Sequence, residues 1–383
     1  MRILQITPTF LPNIGGIEFF VYNLSKNLID NNIISDVLII SNSKKFTERK
    51  KTKLIPEYGM YQIKFDRINV YILKYESLFE LIFKLRKIQD FINRYNVIHI
   101  HDPHLFTISF LFIKLIKGKP KKVLSTHGFF FHTQRLKLFK KVYWETMAKQ
   151  ILRSYDLVIA VSKSDWRRIE KIKMKKKILI ENPVEIDKFI PLYDKIDFYC
   201  CNFVFWGRIA KNKQLEKAIE VMANLKHNKL VECNLKIIGP IFDKKYFKHL
   251  KTLIKTLQIE ENVNFVGPLE EQKFFTTIAP IPYLIMPSSY EGFGLSLIEG
   301  MAAGKVVIAN DIPVFKKVIS HNHNGFLIDF SDTKKATEII YSIINLDIER
   351  KKNISREAIK TVKKFSWKEK VREFINAYHQ ILL

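Results

Sequence analysis

Cysteine is scarce: Cys200, Cys201 and Cys233 are the only three in 383 residues, and they form neither a C-x-x-C pair nor an even framework. A disulfide-stapled secreted scaffold and a structural zinc ribbon are therefore not indicated, and a reducing cytosol is the expected setting. Long apolar runs are missing too. The nearest to the roughly 18 residues of a membrane span is Leu105 to Ile116, and Lys114 interrupts it. Met1 to Pro8 reads as a first strand and lacks the apolar core and cleavage site of a signal peptide, so any membrane contact is expected to be peripheral, on the cytoplasmic face. Acidic residues are short as well, 38 Asp and Glu against 64 Lys and Arg, for a formal charge of +26. Such a surface calls for an acidic partner: nucleic acid, an anionic membrane surface or a phosphorylated substrate. A compositional bias toward Lys, Ile and Asn would produce the same excess. No helix-turn-helix, zinc-finger or RNA-binding signature accompanies the charge, so a nucleic-acid binder is a rival without a motif.

What is present is a chain with 47% apolar residues, enough for two cores. Short apolar runs alternate with helical periodicity. In the first half they are Ile3–Ile6, Asp36–Ile40, Val70–Leu73, Val97–Ile100, Lys122–Ser125 and Leu157–Val161, with helical patterns at Leu78–Ile92 and Leu136–Leu152. In the second they are Phe203–Trp206, Leu235–Ile238, Val263–Val266, Tyr283–Met286, Val306–Ala309 and Phe326–Ile328. Alternation of this kind predicts an α/β fold with two doubly wound, Rossmann-like parallel sheets. Pro183 and Pro191 break regular structure between the halves. The expected domains are 1–186, with a returning C-terminal helix at 366–383, and 187–365. Lys44–Lys53, basic and poor in apolar residues, reads as a surface loop.

Several segments carry candidate chemistry. Ser288 to Gly304 joins the strand ending at Pro287 to a helix begun by Leu295, Leu297, Ile298 and Met301. Its loop holds Glu291, Gly292, Phe293 and Gly294, and Glu299 lies one turn inside the helix. Backbone N–H groups at such a helix start suit an anion, and the two carboxylates suit hydroxyls; an ordinary glycine loop with solvated glutamates reads equally well from these residues alone. Gly15-Gly16-Ile17-Glu18 follows the first strand with similar geometry, though it is not G-x-G-x-x-G. Gly207-Arg208, four residues and Lys213 place a planar fork and a point charge on one loop, as a departing diphosphate would require. His127 stands past the carboxyl end of a strand, where doubly wound folds bind ligands. The cluster His99-Ile100-His101-Asp102-Pro103-His104 lacks metal-ligand spacing. Phe129 to Arg153 mixes aromatic and basic residues, as does an interfacial membrane helix or, equally, a packed helix with a solvated basic face.

Taken in order, these motifs resemble the retaining GT-B glycosyltransferases of family four: Gly-Gly-x-Glu ending at Glu18, Thr126-His127-Gly128, Asn182-Pro183 with Phe189, Gly207-Arg208 through Lys213, and Glu291 with Glu299 as an E-x7-E segment. The resemblance implies two Rossmann-like domains facing a central cleft, with the terminal helix crossing back to the first. It implies that Glu291 and His127 face the transferred sugar and that Glu299 holds the ribose. Gly16, Gly292, Phe293, Gly294 and Leu295 would line the sugar and diphosphate, Arg208 and Lys213 would neutralise the diphosphate, Val266 would adjoin the base, and Glu18 and His132 would lie on the acceptor side. The string Thr126 to Thr133 is similar to a subgroup that moves mannose from GDP-mannose to a lipid-diphosphate-linked sugar. In this sequence Gln214 stands where relatives often carry glycine. No Asp-x-Asp occurs, so no metal or other cofactor is expected beyond the nucleotide-sugar donor. A UDP-hexose transferase of lipopolysaccharide or capsule synthesis, and a GT-B sugar-nucleotide epimerase, are the alternatives.

Overall fold

The computed structural model describes residues 1–11, 16–41, 52–101, 115–127, 143–291 and 293–383. Gly15, Gly128, His132, Gly292, Leu105–Lys114 and the first part of the Phe129–Arg153 segment lie outside the described residues. The chain divides into two compact units, Met1–Pro183 with Trp367–Leu383, and Val184–Ser366. Against the expected 186/187 division, Val184 belongs to the second unit. Its N–H donates to the Phe365 carbonyl, 2.8 Å, and it pairs in parallel with Ser366.

Among its described residues the first unit has nine strands: β1 (Arg2–Thr7), β2 (Ile34–Ser41), β3 (Lys53–Ile55), β4 (Met60–Phe65), β5 (Ile68–Lys74), β6 (Val97–Ile100), β7 (Lys121–Ser125), β8 (Leu157–Ala160) and β9 (Lys177–Leu179). Their order is β3-β4-β5-β2-β1-β6-β7-β8-β9. The run from β5 to β9 is parallel, but β4 is antiparallel to both neighbours, so this sheet is mixed rather than wholly parallel. The β4–β5 hairpin turns at Asp66, whose φ is +53°. Strand alternation sends side chains to two cores. Leu4, Ile6, Leu38, Ile40, Val158 and Ala160 enter one with Leu81 and Leu85. Ile3, Val37, Ile39, Leu157 and Ile159 enter the other. There they meet Phe20, Val21 and Leu24 of helix Gly16–Asp30, and Val371, Phe374 and Tyr378 of helix Trp367–Leu382. In the described end of the basic-aromatic segment, Tyr143, Ala148, Ile151 and Leu152 are buried in the first core, while Glu145, Thr146, Met147, Gln150 and Arg153 are exposed.

The second unit has, among its described residues, six parallel strands: β10 (Phe203–Trp206), β11 (Leu235–Ile238), β12 (Val263–Gly267), β13 (Tyr283–Met286), β14 (Val306–Asn310) and β15 (Phe326–Ile328). Their order is β12-β11-β10-β13-β14-β15, reversing direction of growth at β10/β13. Phe203, Phe205, Tyr283 and Ile285 face one core, while Val204, Trp206, Leu284 and Met286 face the other with Leu297, Ile298 and Met301. Gly300 permits this second packing, since a Cβ there would stand 2.2 Å from Leu284 Cδ2. Lys305, fully buried, donates from Nζ to the carbonyls of Ile278 (2.8 Å) and Ala279 (3.0 Å) and so closes the end of helix Glu271–Ile278. Burial brings its pKa down to about 7.

Candidate active site

The loops after β10 and β13 meet at the topological switch point, where doubly wound folds place ligands. Their backbones are stitched together: Ser289 N donates to Asn212 O (3.0 Å), and Asn212 Nδ2 donates to Tyr290 O (3.1 Å). This brings Lys213, on the short turn Lys211–Lys213, against Glu291. The two form an ion pair, each side chain only 11% exposed, and Ser288 Oγ donates to the same Glu291 oxygen at 2.9 Å. Gln214 adopts φ +46°, a left-handed position that glycine occupies without strain. Arg208 is exposed and lies 4.8 Å from the centroid of the Phe242 ring, a cation–π contact.

Helix Leu295–Ala302 starts from Gly294, whose φ of +81° and 3.1 Å Cβ approach to Phe315 Cε1 make glycine the fitting residue. Leu295 is exposed at the first helical position, and Phe293 packs edge-on against Phe365, 5.9 Å between centroids. One turn in, Glu299 accepts a hydrogen bond from Trp206 Nε1, 2.8 Å. Burial raises its pKa, the indole N–H works against that rise, and nearby Glu185 adds to it. The sequence reading missed Trp206. Its signal was its place, the last residue of a strand directly before Gly207-Arg208, with a donor-only indole nitrogen that needs an acceptor when buried. Val266, in β12, is half-buried beside the second core of this unit.

The first unit assembles a second group at the carboxyl ends of β1, β6 and β7. Gly16 opens helix Gly16–Asp30 and is exposed; Glu18 in its first turn accepts a hydrogen bond from Thr9 Oγ1. His127 sits at φ +43°, left-handed for a non-glycine residue and so a strained backbone position. Its Nε2 is 2.9 Å from His101 Nδ1, and His101 Nε2 is 2.8 Å from Gln5 Oε1. With the Gln5 carbonyl as acceptor, His101 is protonated on Nε2, so its Nδ1 accepts from His127 Nε2–H and leaves His127 Nδ1 as an acceptor. Phe20 packs edge-on against the His127 ring, 4.8 Å between centroids. Burial lowers the pKa of His127 to about 3 and holds His101 and His99 well below the usual range, with the neighbouring histidines adding to the effect on these two. All three rings are neutral at pH 7. His99 is engaged by Tyr378 Oη (2.7 Å) and Ser125 Oγ (2.8 Å). Gln5 and His101 are thus the residues that orient His127; the sequence reading weighed His101 only as a metal ligand.

Two family models that together span most of the chain show its class: it belongs to the glycosyltransferases, with the GT-B fold. Residues 14–188 match the family model described as Glycosyltransferase Family 4, and residues 202–361 the one described as Glycosyl transferases group 1. Among curated relatives is the GDP-mannose:cellobiosyl-diphosphopolyprenol alpha-mannosyltransferase of Xanthomonas campestris, 24% identical, with 100% of this chain and 97% of that protein covered. A protein of the same name from Komagataeibacter xylinus is 21% identical over 100% of this chain and 94% of its own. Among solved structures, a glycosyltransferase from Rickettsia africae has a TM-score of 0.73 at 21% identity, covering 100% of this chain and 98% of that one. Anabaena HepE, solved with UDP and glucose, has a TM-score of 0.66 at 17% identity, covering 99% and 100%. The described helices include none long and apolar enough to cross a membrane.

Proposed function

We propose that this glycosyltransferase moves mannose from GDP-mannose, with retention of the anomeric configuration and without a metal ion, onto a lipid-diphosphate-linked saccharide at an anionic membrane surface. The observation that carries the donor and acceptor is the end-to-end similarity to relatives named as GDP-mannose:cellobiosyl-diphosphopolyprenol alpha-mannosyltransferases. The geometry supports the division of labour. Arg208, Lys213 and the helix start at Gly294-Leu295 supply positive potential for the developing diphosphate, the electrostatic part of the catalysis. Lys213 comes to that task already positioned by Glu291 and Ser288. Glu299, held by Trp206, takes the ribose hydroxyls, and Val266 adjoins the base. Neutral His127, with Nδ1 free to accept, holds a sugar hydroxyl, while Gly16 and Glu18 serve the diphosphate and the acceptor.

A ligand that binds only the folded state raises its melting temperature according to its affinity. GDP and GDP-mannose are expected to stabilise the protein more than UDP, UDP-glucose or UDP-N-acetylglucosamine at equal concentration. With a lipid-diphosphate sugar supplied, GDP-mannose should yield an α-mannosyl product. Stabilisation by uridine nucleotides alone would replace the mannose reading by a UDP-hexose transferase. Conversion of the donor without an acceptor would indicate epimerisation instead.

A further inference from the structure

Helix Leu78–Lys87 of the first unit has an outward face that its fold leaves uncovered. Leu81, Leu85 and the following Ile88 are fully buried against the sheet. On the opposite side, one turn apart, Phe79 is 83% exposed and Phe83 65%, with Leu78 beside them at 55%. Arg86 and Lys87 continue the same exposed surface toward the helix end. Ser77 caps the helix through Glu80 N, and Glu80 is ion-paired with Lys84, so the acid within this stretch is already neutralised. A cavity of about 280 Å³ adjoins the start of the helix, lined by Leu54, itself 50% exposed, and by two lysines and two glutamates, Lys74, Lys84, Glu76 and Glu80. The apolar and basic face is therefore that of the helix itself, Leu78, Phe79 and Phe83 followed by Arg86 and Lys87.

Two aromatic rings in water gain nothing for the fold, and monomeric proteins rarely display such a contiguous apolar patch without a partner. A partner that takes phenylalanine next to arginine and lysine has an apolar layer beneath an anionic one. We propose that this face docks on an anionic membrane surface, Phe79 and Phe83 entering the acyl–headgroup boundary while Arg86 and Lys87 meet lipid phosphates. The proposal deepens the membrane-surface part of the reading above, naming the segment that makes the contact, and is independent of the donor.

The test is flotation of the full chain, without nucleotide, with vesicles of phosphatidylcholine containing roughly 30 mol% phosphatidylglycerol, and with pure phosphatidylcholine vesicles. The wild type is expected to bind the anionic vesicles and to release as salt rises. Phe79→Ser/Phe83→Ser should bind about 100-fold more weakly, about tenfold per ring. Arg86→Gln/Lys87→Gln should bind about 30-fold more weakly, with a smaller salt dependence. Because all four side chains are exposed, the melting temperature should hardly change, so loss of binding would not be misfolding. A wild type that floats while Phe79→Ser/Phe83→Ser floats equally well overturns the assignment of this helix and leaves a membrane contact elsewhere. A wild type that never floats overturns both this assignment and the membrane reading. Concentration-dependent dimerisation that the double serine variant abolishes, without vesicle binding, overturns it in favour of a second copy of the chain.

Discussion

Replacing Glu291 by leucine removes the carboxylate that accepts from Lys213 and Ser288. The ammonium of Lys213 is then left 11% exposed without its counter-charge. Breaking a wholly buried pair costs about 3–5 kcal/mol, and the residual exposure here brings the expected loss to about 2–4 kcal/mol. For a unit spanning residues 184–366 that corresponds to a fall in Tm of about 4–16 °C. Lys213→Met should cost a similar amount, because it leaves the Glu291 charge alone. The double variant Lys213→Met/Glu291→Leu removes both charges and should lie within about 1 kcal/mol of the wild type. Thermal unfolding of all four proteins, followed by far-ultraviolet circular dichroism, closes the cycle. A coupling of about 2 kcal/mol or more is expected. If the losses of the single variants simply add in the double variant, within about 0.5 kcal/mol, the pair is not a mutual brace and the reasoning fails. The activity readout is separate: Glu291→Ala should lower turnover at saturating donor and acceptor, and wild-type turnover would remove Glu291 from the reaction.

Glu299→Ala should weaken donor binding more than it changes turnover, since ribose hydroxyls are alike in ground and transition states; an unaltered KM for donor would contradict the ribose role. His101→Leu removes the acceptor that orients His127 and is expected to lower kcat about 10- to 100-fold with KM for donor within about threefold, and His101→Gln should restore part of it if orientation is the cause. The buried histidines also set a pH dependence. Their folded pKa values lie below 6.5, so the unfolded chain binds more protons and stability falls as pH drops through 6.5, by about 1 kcal/mol per histidine between pH 6.5 and 5.5; flat stability over that window would show that these rings are not held neutral. A chelator should leave the rate nearly unchanged, and loss with EDTA reversed by magnesium or manganese would overturn the metal-free mechanism.

Much of this protein is written locally. The apolar runs of the parallel strands, the glycine before helix Leu295–Ala302 and the spacing of Glu291 and Glu299 are short-range patterns, because strand burial and helix starts depend on a few consecutive residues. Strands β3, β4 and the short edge strand β9 escaped notice: Met60–Phe65 alternates weakly, and its pairing is set by β5 rather than by its own composition. Partnerships across the chain were decided by tertiary structure alone. Lys213 and Glu291 are 78 residues apart, Trp206 and Glu299 are 93, and Gln5 and His101 are 96. Each pair meets because parallel strands bring their carboxyl ends together, at distances that no periodicity encodes. The same holds for the surface: the sequence marks Leu78–Ile92 as helical, but only the packing of Leu81 and Leu85 into the core decides that Phe79 and Phe83 point to solvent.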